Sequence, residues 1–327
     1  MVDLEIRKAT KKQRKARIAF SGPSGSGKSR SAMELAKYIC DQEGGRFLVV
    51  DTEAGSAEDY AHLYDFDVMP LISSFSPDRY VQAIHAGEAA GYTVIILDSI
   101  SHEWSGPGGC LDMIDRSNSH NKYTAWAPVT EKHNGFIAAM LWSPAHIIAT
   151  IREKEGYAQD KDPDTGKTVI NKLGLQPIQR EGMDYEFQVV MKISQDHIAQ
   201  LDKGRCDELE GKVWDRPGAD FAEAFYGWLK TGVADRQGAI DAVKRRWMAA
   251  AQGIGLLSEK PSATEIAAFK EHLGEIFEAL DATENGEIDR LGIRGIERIA
   301  AWIPPTSEEE KPSPTRKRRA AAPVDSA

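Results

Sequence analysis

The stretch 17-RIAFSGPSGSGKSRSAMELA-36 decides the fold, because a glycine-rich turn in it joins a short apolar run to a helical pattern. Residues 17–21 read as a buried strand, and residues 29–40 carry apolar side chains at helical spacing. Between them, residues 22–29 fit G-x-x-x-x-G-K-[ST], the pattern of a phosphate-binding loop. A strand before the loop and a helix after it are the context that makes this pattern specific.

The main chain of this loop is expected to provide an anion site. Its glycines let successive N–H groups point inward, at the N-terminus of a helix whose dipole favours negative charge. In loops of this kind the lysine, here Lys28, reaches the β- and γ-phosphates, and the hydroxyl group of Ser29 ligates Mg²⁺. We therefore predict a nucleoside-triphosphate site; the alternative is a glycine-rich turn without a ligand. The predicted ligand-binding residues are Gly22, Pro23, Ser24, Gly25, Ser26, Gly27, Lys28, Ser29 and the residue after them, Arg30.

Apolar runs and helical patterns alternate along the first two thirds of the chain. The predicted strands after the first are residues 47–50, 68–73, 93–97 and 146–151, and the predicted helices between them are residues 77–90 and 123–142. A hairpin over residues 185–193 and 198–201 follows, and then an amphipathic helix over residues 220–229. This order predicts an α/β core, residues 17–232, with a mainly parallel sheet that helices cover on both faces.

The character of the chain changes near residue 233. Three helical patterns follow without a strand among them, at residues 239–251, 263–280 and 287–303, and they predict a small helical domain over residues 233–303. Two further segments lie outside the core and this domain. They are a basic N-terminal segment, residues 1–16, and a tail rich in proline and charge, residues 304–327, which we predict to be disordered.

Composition and charge exclude several classes of protein. The chain has 327 residues and a net charge of −9, so a nucleic-acid site would have to be a local basic patch. Its three cysteines form no C-x-x-C pair, which argues against a zinc ribbon or a disulfide framework. No apolar run approaches the roughly 20 residues of a membrane span, and the N-terminus lacks the apolar core of a secretory signal. We therefore expect a cytoplasmic protein without membrane contact.

The stretch 93-TVIILDSIS-101 supplies a second element of the site. Its apolar residues predict a buried strand that carries Asp98 to the carboxyl edge of the sheet, where ligands bind in open α/β folds. A carboxylate at that edge can hold Mg²⁺ through a water molecule. We therefore predict Ser29 and Asp98 as metal-binding residues, with a helix-capping role as the alternative for Asp98.

Hydrolysis would need a group that polarises the attacking water. Ser99 follows Asp98, so such a group must come from elsewhere in the chain. The stretch 47-FLVVDTEAGSAEDYA-61 offers Asp51 and Glu53, which period-two alternation places on one side of the strand. For Glu53 three roles stay open: a catalytic base for water, an acceptor-binding carboxylate of a small-molecule kinase, or a surface carboxylate.

Together these motifs resemble those of RecA-like core ATPases, and in particular the phage-encoded ATP-binding proteins of single-strand annealing and recombination. Asp51-Thr52-Glu53 matches the D-x-E segment that carries the catalytic glutamate of RecA-type proteins, and Asp98-Ser99 matches the end of their metal-binding strand. The resemblance covers about residues 10–230. The stretches similar to the phage subgroup are 100-ISHEWSGPGG-109, 149-ATIREKEGY-157 and 172-KLGLQPIQREGMDYEF-187.

The resemblance implies further functional residues. Thr150 or Arg152 lies where RecA-like proteins place a polar γ-phosphate sensor, although glutamine is more usual there. Lys203 and Arg205 lie where such assemblies carry a cation pair that reaches the γ-phosphate of a neighbouring subunit. With Lys28 and Glu53 they complete the predicted catalytic residues. Residues 152–172 read as a long polar loop, placed like the second DNA-binding loop of RecA-like filaments, with a merely solvated loop as the alternative.

The resemblance implies a Mg²⁺-dependent ATPase that works as a homo-oligomer on single-stranded DNA, in phage recombination, annealing or repair. Phage or host recombination and replication proteins would be further partners. Two other functions stay open: a nucleotide-gated loader or binding module with slow turnover, and a P-loop kinase for a small molecule. Glu103 is an alternative base for water, although a packing role in its loop is favoured.

Overall fold

The structure is a computed structural model that describes residues 8–117, 121–161, 168–258, 260–282 and 288–301. Its strands are β1 Arg17–Gly22, β2 Phe47–Asp51, β3 Asp67–Pro70, β4 Val94–Asp98, β5 His146–Lys161, β6 Thr168–Pro177, β7 Val189–Ile193, β8 Ile198–Gly204 and β9 Val213–Asp215. The helices of the core are α1 Lys28–Glu43, α2 Pro77–Ala89, α3 Ser101–Ser105, α4 Cys110–Asp115, α5 Lys122–Trp142 and α6 Ala219–Lys230. After the core come α7 Arg236–Gly253, α8 Ala263–Leu273, α9 Glu275–Ala282 and α10 Ile288–Ala300.

One mixed sheet organises the core, in the order β3-β2-β4-β5-β1-β7-β8-β9. The strands from β3 to β7 in this order are parallel, and β8 and β9 are added in antiparallel fashion. β5 separates β1 from β4, so the ends of these three strands lie side by side at the carboxyl edge. The predicted α/β core with a mainly parallel sheet, followed by helices, is confirmed.

Two apolar cores explain why the central strands are buried on both faces. Alternate residues of β1 point to opposite sides, with Ile18 and Phe20 in one core and Ala19 in the other. Helices α1 and α6 cover the first face, and α2 and α5 cover the second. Near-continuous apolar runs are what parallel strands require when helices lie on both sides.

Helices α7 to α10 share a third apolar core around Trp247, whose indole N–H donates to the carbonyl oxygen of Gly292 at 2.9 Å. The single helix predicted over residues 263–280 is wrong. Gly274, with φ of +52°, separates α8 from α9, because glycine adopts a positive φ without the steric cost that other residues have there. The domain boundaries stay predictions, and the tail at residues 304–327 lies outside the described residues.

The long loop predicted at residues 152–172 is wrong where the structure describes it. β5 continues past the parallel sheet to Lys161, and β6 returns antiparallel to it, with Glu153 opposite Pro177 and Lys161 opposite Thr168. The backbone N–H and C=O groups of β5 and β6 pair with each other, so these strands do not need an apolar face. Because the sequence there is polar, its pattern predicted a loop rather than a β-hairpin. Residues 162–167 lie outside the described residues.

Three smaller boundaries also differ from the prediction. The strand predicted from residue 185 begins at Val189, because Met183–Glu186 forms a 3₁₀-helix that follows Gly182 in a left-handed conformation. β8 runs beyond the predicted residue 201 as far as Gly204, paired with β7. β3 ends at Pro70 rather than residue 73, because its ladder partner β2 ends there, at Asp51.

Candidate nucleotide site

The predicted phosphate-binding loop connects β1 to α1 at the carboxyl edge of the parallel sheet. Gly27 has φ of +96° and precedes the first residue of α1, a backbone conformation that glycine adopts without strain. A Cβ atom on Gly22 would lie 2.3 Å from the carbonyl oxygen of Ile193, so the close approach of β7 requires glycine there. Because Gly27 has no side chain to cap the helix, the first N–H groups of α1 stay available to an anion.

Lys28 lies inside the loop, and acidic groups surround its ammonium group. Its Nζ donates a hydrogen bond to the carbonyl oxygen of Pro23 at 2.7 Å. Burial lowers the pKa of Lys28, whereas the nearby carboxylates of Asp98 and Glu53 raise it. Three predicted residues, the phosphate-binding lysine, the metal-binding aspartate and the catalytic glutamate, therefore lie close together in one site.

Asp98 is the last residue of β4 and lies next to Ser29 of α1. The hydroxyl groups of Ser29 and Thr150 both donate to its carboxylate, the second at 2.5 Å. Burial raises the pKa of Asp98, and these two hydrogen bonds oppose that shift. A buried carboxylate beside a hydroxyl group is a hard oxygen donor set that suits Mg²⁺, and a cation there would offset the cost of burying the charge. The residues at this position therefore fit the predicted metal.

Thr150, one of the two candidate γ-phosphate sensors, is fully buried on β5. Its hydroxyl group is directed at Asp98 rather than at the opening of the loop. The structure therefore places Thr150 against the carboxylate of Asp98, which is predicted to bind the metal, and its role as a γ-phosphate sensor stays a prediction. The other candidate, Arg152, lies two residues further along β5, at the mouth of the site.

Glu53 and Arg152 form an ion pair at this mouth, with Arg152 Nε 3.3 Å from Glu53 Oε1. Their side chains are 27% and 40% exposed, so solvent reaches both. Asp51 fixes the loop that carries Glu53, because its carboxylate accepts hydrogen bonds from the N–H groups of Glu53 and Gly55 at 2.6 and 2.8 Å. β2 ends at Asp51, so the alternation that placed Asp51 and Glu53 on one side of the strand does not reach Glu53.

His102 belongs to the same cluster, although no sequence motif assigns it a role there. Arg152 Nη1 lies 3.0 Å from its Nε2, and Thr52 Oγ1 lies 2.8 Å from its Nδ1. Burial and the charge of Arg152 lower the pKa of His102. Because arginine can only donate, Nε2 of the neutral ring accepts, and Nδ1–H donates to Thr52. His102 thus orients the guanidinium group that pairs with Glu53.

Glu153 is a second residue of the site that the sequence did not indicate. Its side chain is buried beside the end of β1, where Oε1 accepts from the Ser21 hydroxyl at 2.9 Å and lies 3.5 Å from Lys192 Nζ. Its Oε2 is buried and has no hydrogen-bond partner among the described residues. This carboxylate adds negative charge near Lys28, where it raises the lysine pKa.

Lys203 and Arg205 do not join the site of their own chain. Lys203 pairs with Val190 on β7, which lies opposite Ala19 of β1, whereas the phosphate-binding loop begins at the far end of β1. Lys203 Nζ donates to the carbonyl oxygens of Phe187 and of Tyr185, the latter at 3.2 Å. A role for this pair at a neighbouring subunit stays a prediction.

Glu103, the alternative base, is completely buried. Its Oε1 accepts from Cys110 Sγ at 3.1 Å and lies 2.9 Å from His133 Nδ1, and its Oε2 accepts from Gln179 Nε2 at 3.3 Å. These contacts satisfy the carboxylate within the fold. Its placement fits the packing role that the sequence favoured.

The comparison with known protein families agrees with this strand–loop–helix site. The family described as AAA domain matches residues 14–216, which is more than half of the chain. The chain belongs to the AAA domain family. In this AAA domain the matched range contains the phosphate-binding loop, Glu53, Asp98 and Arg152. P-loop domains of this type bind nucleoside triphosphates.

A search of the curated proteins found no match to this AAA domain protein. Among solved structures it is similar to the crystal structure of a KaiC-like protein from the hyperthermophilic archaeon Pyrococcus horikoshii OT3. That comparison has 14% sequence identity and a TM-score of 0.33, and covers 62% of this chain and 87% of the other. No described helix of the AAA domain protein has both the length and the apolar character needed to cross a membrane.

Proposed function

We propose that this protein hydrolyses ATP with Mg²⁺, and that single-stranded DNA stimulates the reaction in a homo-oligomer that serves phage recombination, annealing or repair. One observation carries the catalytic part. Glu53, a solvent-accessible carboxylate, is held at the mouth of the phosphate-binding loop by Asp51 and Arg152, within electrostatic range of Lys28. The DNA part is supported by the resemblance to RecA-like phage proteins.

Each residue of the nucleotide site and of its mouth has a distinct role in the proposed reaction. Lys28 and the N–H groups at the start of α1 bind the phosphates. Ser29 and Asp98 would hold a Mg²⁺ ion, which would supply positive charge against the phosphates. Glu53 orients a water molecule and accepts its proton. Arg152 bridges Glu53 and His102, so it can exchange its contact with Glu53 for one with the terminal phosphate.

Turnover of ATP by the purified protein, measured with and without single-stranded DNA, tests this proposal. Glu53→Gln should retain ATP binding and lose turnover by about a hundredfold or more, because the amide cannot take the proton of the water. Lys28→Ala should instead lose binding itself. Equal loss of binding in both variants would contradict the role of Glu53.

The same assay separates the alternative functions. A nucleotide-gated binding module would bind ATP but show turnover that neither DNA nor Glu53→Gln changes. A small-molecule kinase would transfer the labelled γ-phosphate to an acceptor rather than release it as inorganic phosphate. Either result would replace the proposed ATPase function.

A further inference from the structure

A large basic cleft lies on the side of the molecule away from the phosphate-binding loop. It has a volume of about 990 Å³ and lies between the N-terminal segment, the turn before β7, α6 and α7. Nine lysine and arginine residues line it, against two carboxylates. The whole chain carries a net charge of −9, so this concentration of positive charge is local. It is the kind of patch that an acidic protein would need in order to bind a polyanion.

Six of the nine cations of the cleft already have a partner within the protein, and three do not. Of the six, Lys12 pairs with Asp235, Lys11 lies over the Trp228 ring, and Arg17 and Lys203 donate to main-chain carbonyl oxygens. Lys15 and Lys230 both bind Glu43, at 2.7 and 2.6 Å, and hold the N-terminal segment against the core. Arg14, Arg205 and Arg245 are exposed, and their guanidinium groups make no hydrogen bond or ion pair with any residue that the structure describes. Guanidinium groups match phosphate oxygens with two parallel hydrogen bonds, so these three arginines suit a phosphate backbone.

Exposed aromatic rings lie among these arginines. Tyr185 and Trp142 line the cleft with 76% and 69% of their surface exposed. A third ring of the cleft, that of Trp228, is half-buried and stacks on Phe225, and Lys11 Nζ lies 5.1 Å from its centre. Rings that lie among cations are the arrangement by which proteins bind single-stranded nucleic acid, with the bases stacked on the rings and the phosphates held by the positive charges.

We propose that this basic cleft binds single-stranded nucleic acid. A duplex would leave the rings unused, because its bases are already stacked on one another, and an acidic peptide would use the charges alone. The inference deepens the DNA part of the proposed function and rests on that part, but not on ATP hydrolysis. It places the strand in the cleft rather than on the β5–β6 hairpin, where the sequence predicted a DNA-binding loop.

Binding of a fluorescein-labelled oligothymidylate to the full-length protein, without nucleotide, tests the cleft directly. The double variant Arg14→Glu, Arg205→Glu should weaken binding about tenfold or more. Its plot of log affinity against log salt concentration should become shallower, by about 0.7 for each phosphate that the variant no longer neutralises. Tyr185→Ala should weaken binding about fivefold or more, since it removes a stacking ring. Circular dichroism and thermal melting verify that each variant is folded.

The matched control is Lys154→Glu, Lys172→Glu, which reverses two exposed charges on the β5–β6 hairpin. The cleft proposal expects this variant to bind within about twofold of the wild type, allowing for long-range charge effects. Loss of binding in the hairpin variant with wild-type binding in the cleft variant would overturn the proposal. Equal competition by polyglutamate of the same charge, with no effect of Tyr185→Ala, would also overturn it in favour of an acidic protein ligand.

The two proposals can fail separately. If the cleft variant loses oligothymidylate binding while the wild type shows no ATP turnover, the ATPase proposal fails and the cleft stands. If the wild type shows DNA-stimulated turnover that the cleft variant retains in full, the ATPase proposal stands and the cleft fails.

Discussion

At the scale of single residues, the protonation state of His102 is expected to control how the guanidinium group of Arg152 is oriented towards Glu53 and the terminal phosphate. The ring is neutral, since burial and Arg152 lower its pKa, and its Nε2 accepts from the guanidinium group. Protonation would remove that acceptor and place two positive charges side by side. We expect the turnover number for ATP to fall only at a pH below the ordinary histidine pKa of about 6.5, because a lowered pKa delays the protonation of His102.

The variant His102→Gln distinguishes this positioning role from a structural one. Glutamine keeps an acceptor for Arg152 but does not titrate, so the decline on the acid side should flatten while activity near neutral pH stays substantial. His62→Gln, at an exposed histidine, is the matched control and should keep the wild-type profile. An unchanged acid decline in His102→Gln would show that another group is responsible.

His146 gives a second pH dependence, in stability rather than in activity. The ring is fully buried, with Nδ1 accepting from the N–H of Ala16 at 2.9 Å and Nε2 3.2 Å from Glu43 Oε1. Burial lowers the pKa of His146 to about 4, whereas in the unfolded chain it lies near 6.5. The unfolded state therefore binds the proton first, and stability is lost as the pH falls from about 6.5 towards 4, by at most about 3 kcal/mol.

Chemical denaturation at a series of pH values measures this effect. His146→Gln should lower stability near neutral pH and flatten the slope between pH 6.5 and 4, because the titrating group is gone. The exposed variant His62→Gln should leave the slope unchanged. A wild-type slope in His146→Gln would assign the pH dependence to other groups.

At the scale of elements, the sequence predicted those strands and helices that a local pattern of apolar residues marks. The run Val94–Leu97 is apolar without interruption, which indicates a central strand, and so it placed Asp98 at the carboxyl edge. The cluster of Thr52, His102 and Arg152 could not be found in this way, because its members come from three segments about 50 residues apart. The β5–β6 hairpin was missed for a different reason: its order comes from pairing with the strand that follows it, whereas the prediction relied on an apolar face that these strands lack.

The β7–β8 hairpin connects the two proposed sites. Lys203 on β8 lies in the basic cleft, and His197, in the turn before β8, donates from Nδ1 to the carbonyl oxygen of Ser26 at 3.0 Å. If bound single-stranded DNA displaced β8, the hydrogen bond of His197 would transmit that movement to the phosphate-binding loop. We expect His197→Ala to lower the ratio of DNA-stimulated to unstimulated turnover while the affinity for oligothymidylate stays within about twofold, since His197 lies outside the cleft.

Paired titrations of oligothymidylate, by anisotropy and by ATP turnover, give both quantities for His197→Ala. His62→Gln is again a neutral control, at an exposed histidine that belongs neither to the cleft nor to the cluster at the mouth. A proportional loss of stimulation and of affinity would mean that His197 supports the cleft itself, and the proposed route through β8 would then be wrong.

At the scale of the whole molecule, two roles are proposed for Arg205: binding of single-stranded DNA in the cleft, and completion of the nucleotide site of a neighbouring subunit. Different measurements distinguish these two roles. If Arg205 binds single-stranded DNA in the cleft, Arg205→Ala should lose the stimulation of ATP turnover by DNA and retain the turnover measured without DNA. As a cation that completes the site of a neighbouring subunit, it should be needed even without DNA, and turnover per chain should rise with protein concentration. Arg205 lines the cleft and directly follows β8, outside the phosphate-binding loop of its own chain, which agrees with both hypotheses.

Turnover of the two variants Glu53→Gln and Arg205→Ala, measured separately and as a mixture, decides between these hypotheses. Glu53→Gln has an intact Arg205 but no base, and Arg205→Ala has an intact base but cannot assist a neighbour. If assistance comes from the neighbour, an equal mixture should regain about a quarter of wild-type turnover, because one in four adjacent pairs then joins an intact base to an intact arginine. If Arg205→Ala alone turns over ATP at the wild-type rate without DNA, the neighbour hypothesis fails. The arginine then serves the cleft alone, and each chain would hydrolyse ATP with its own residues.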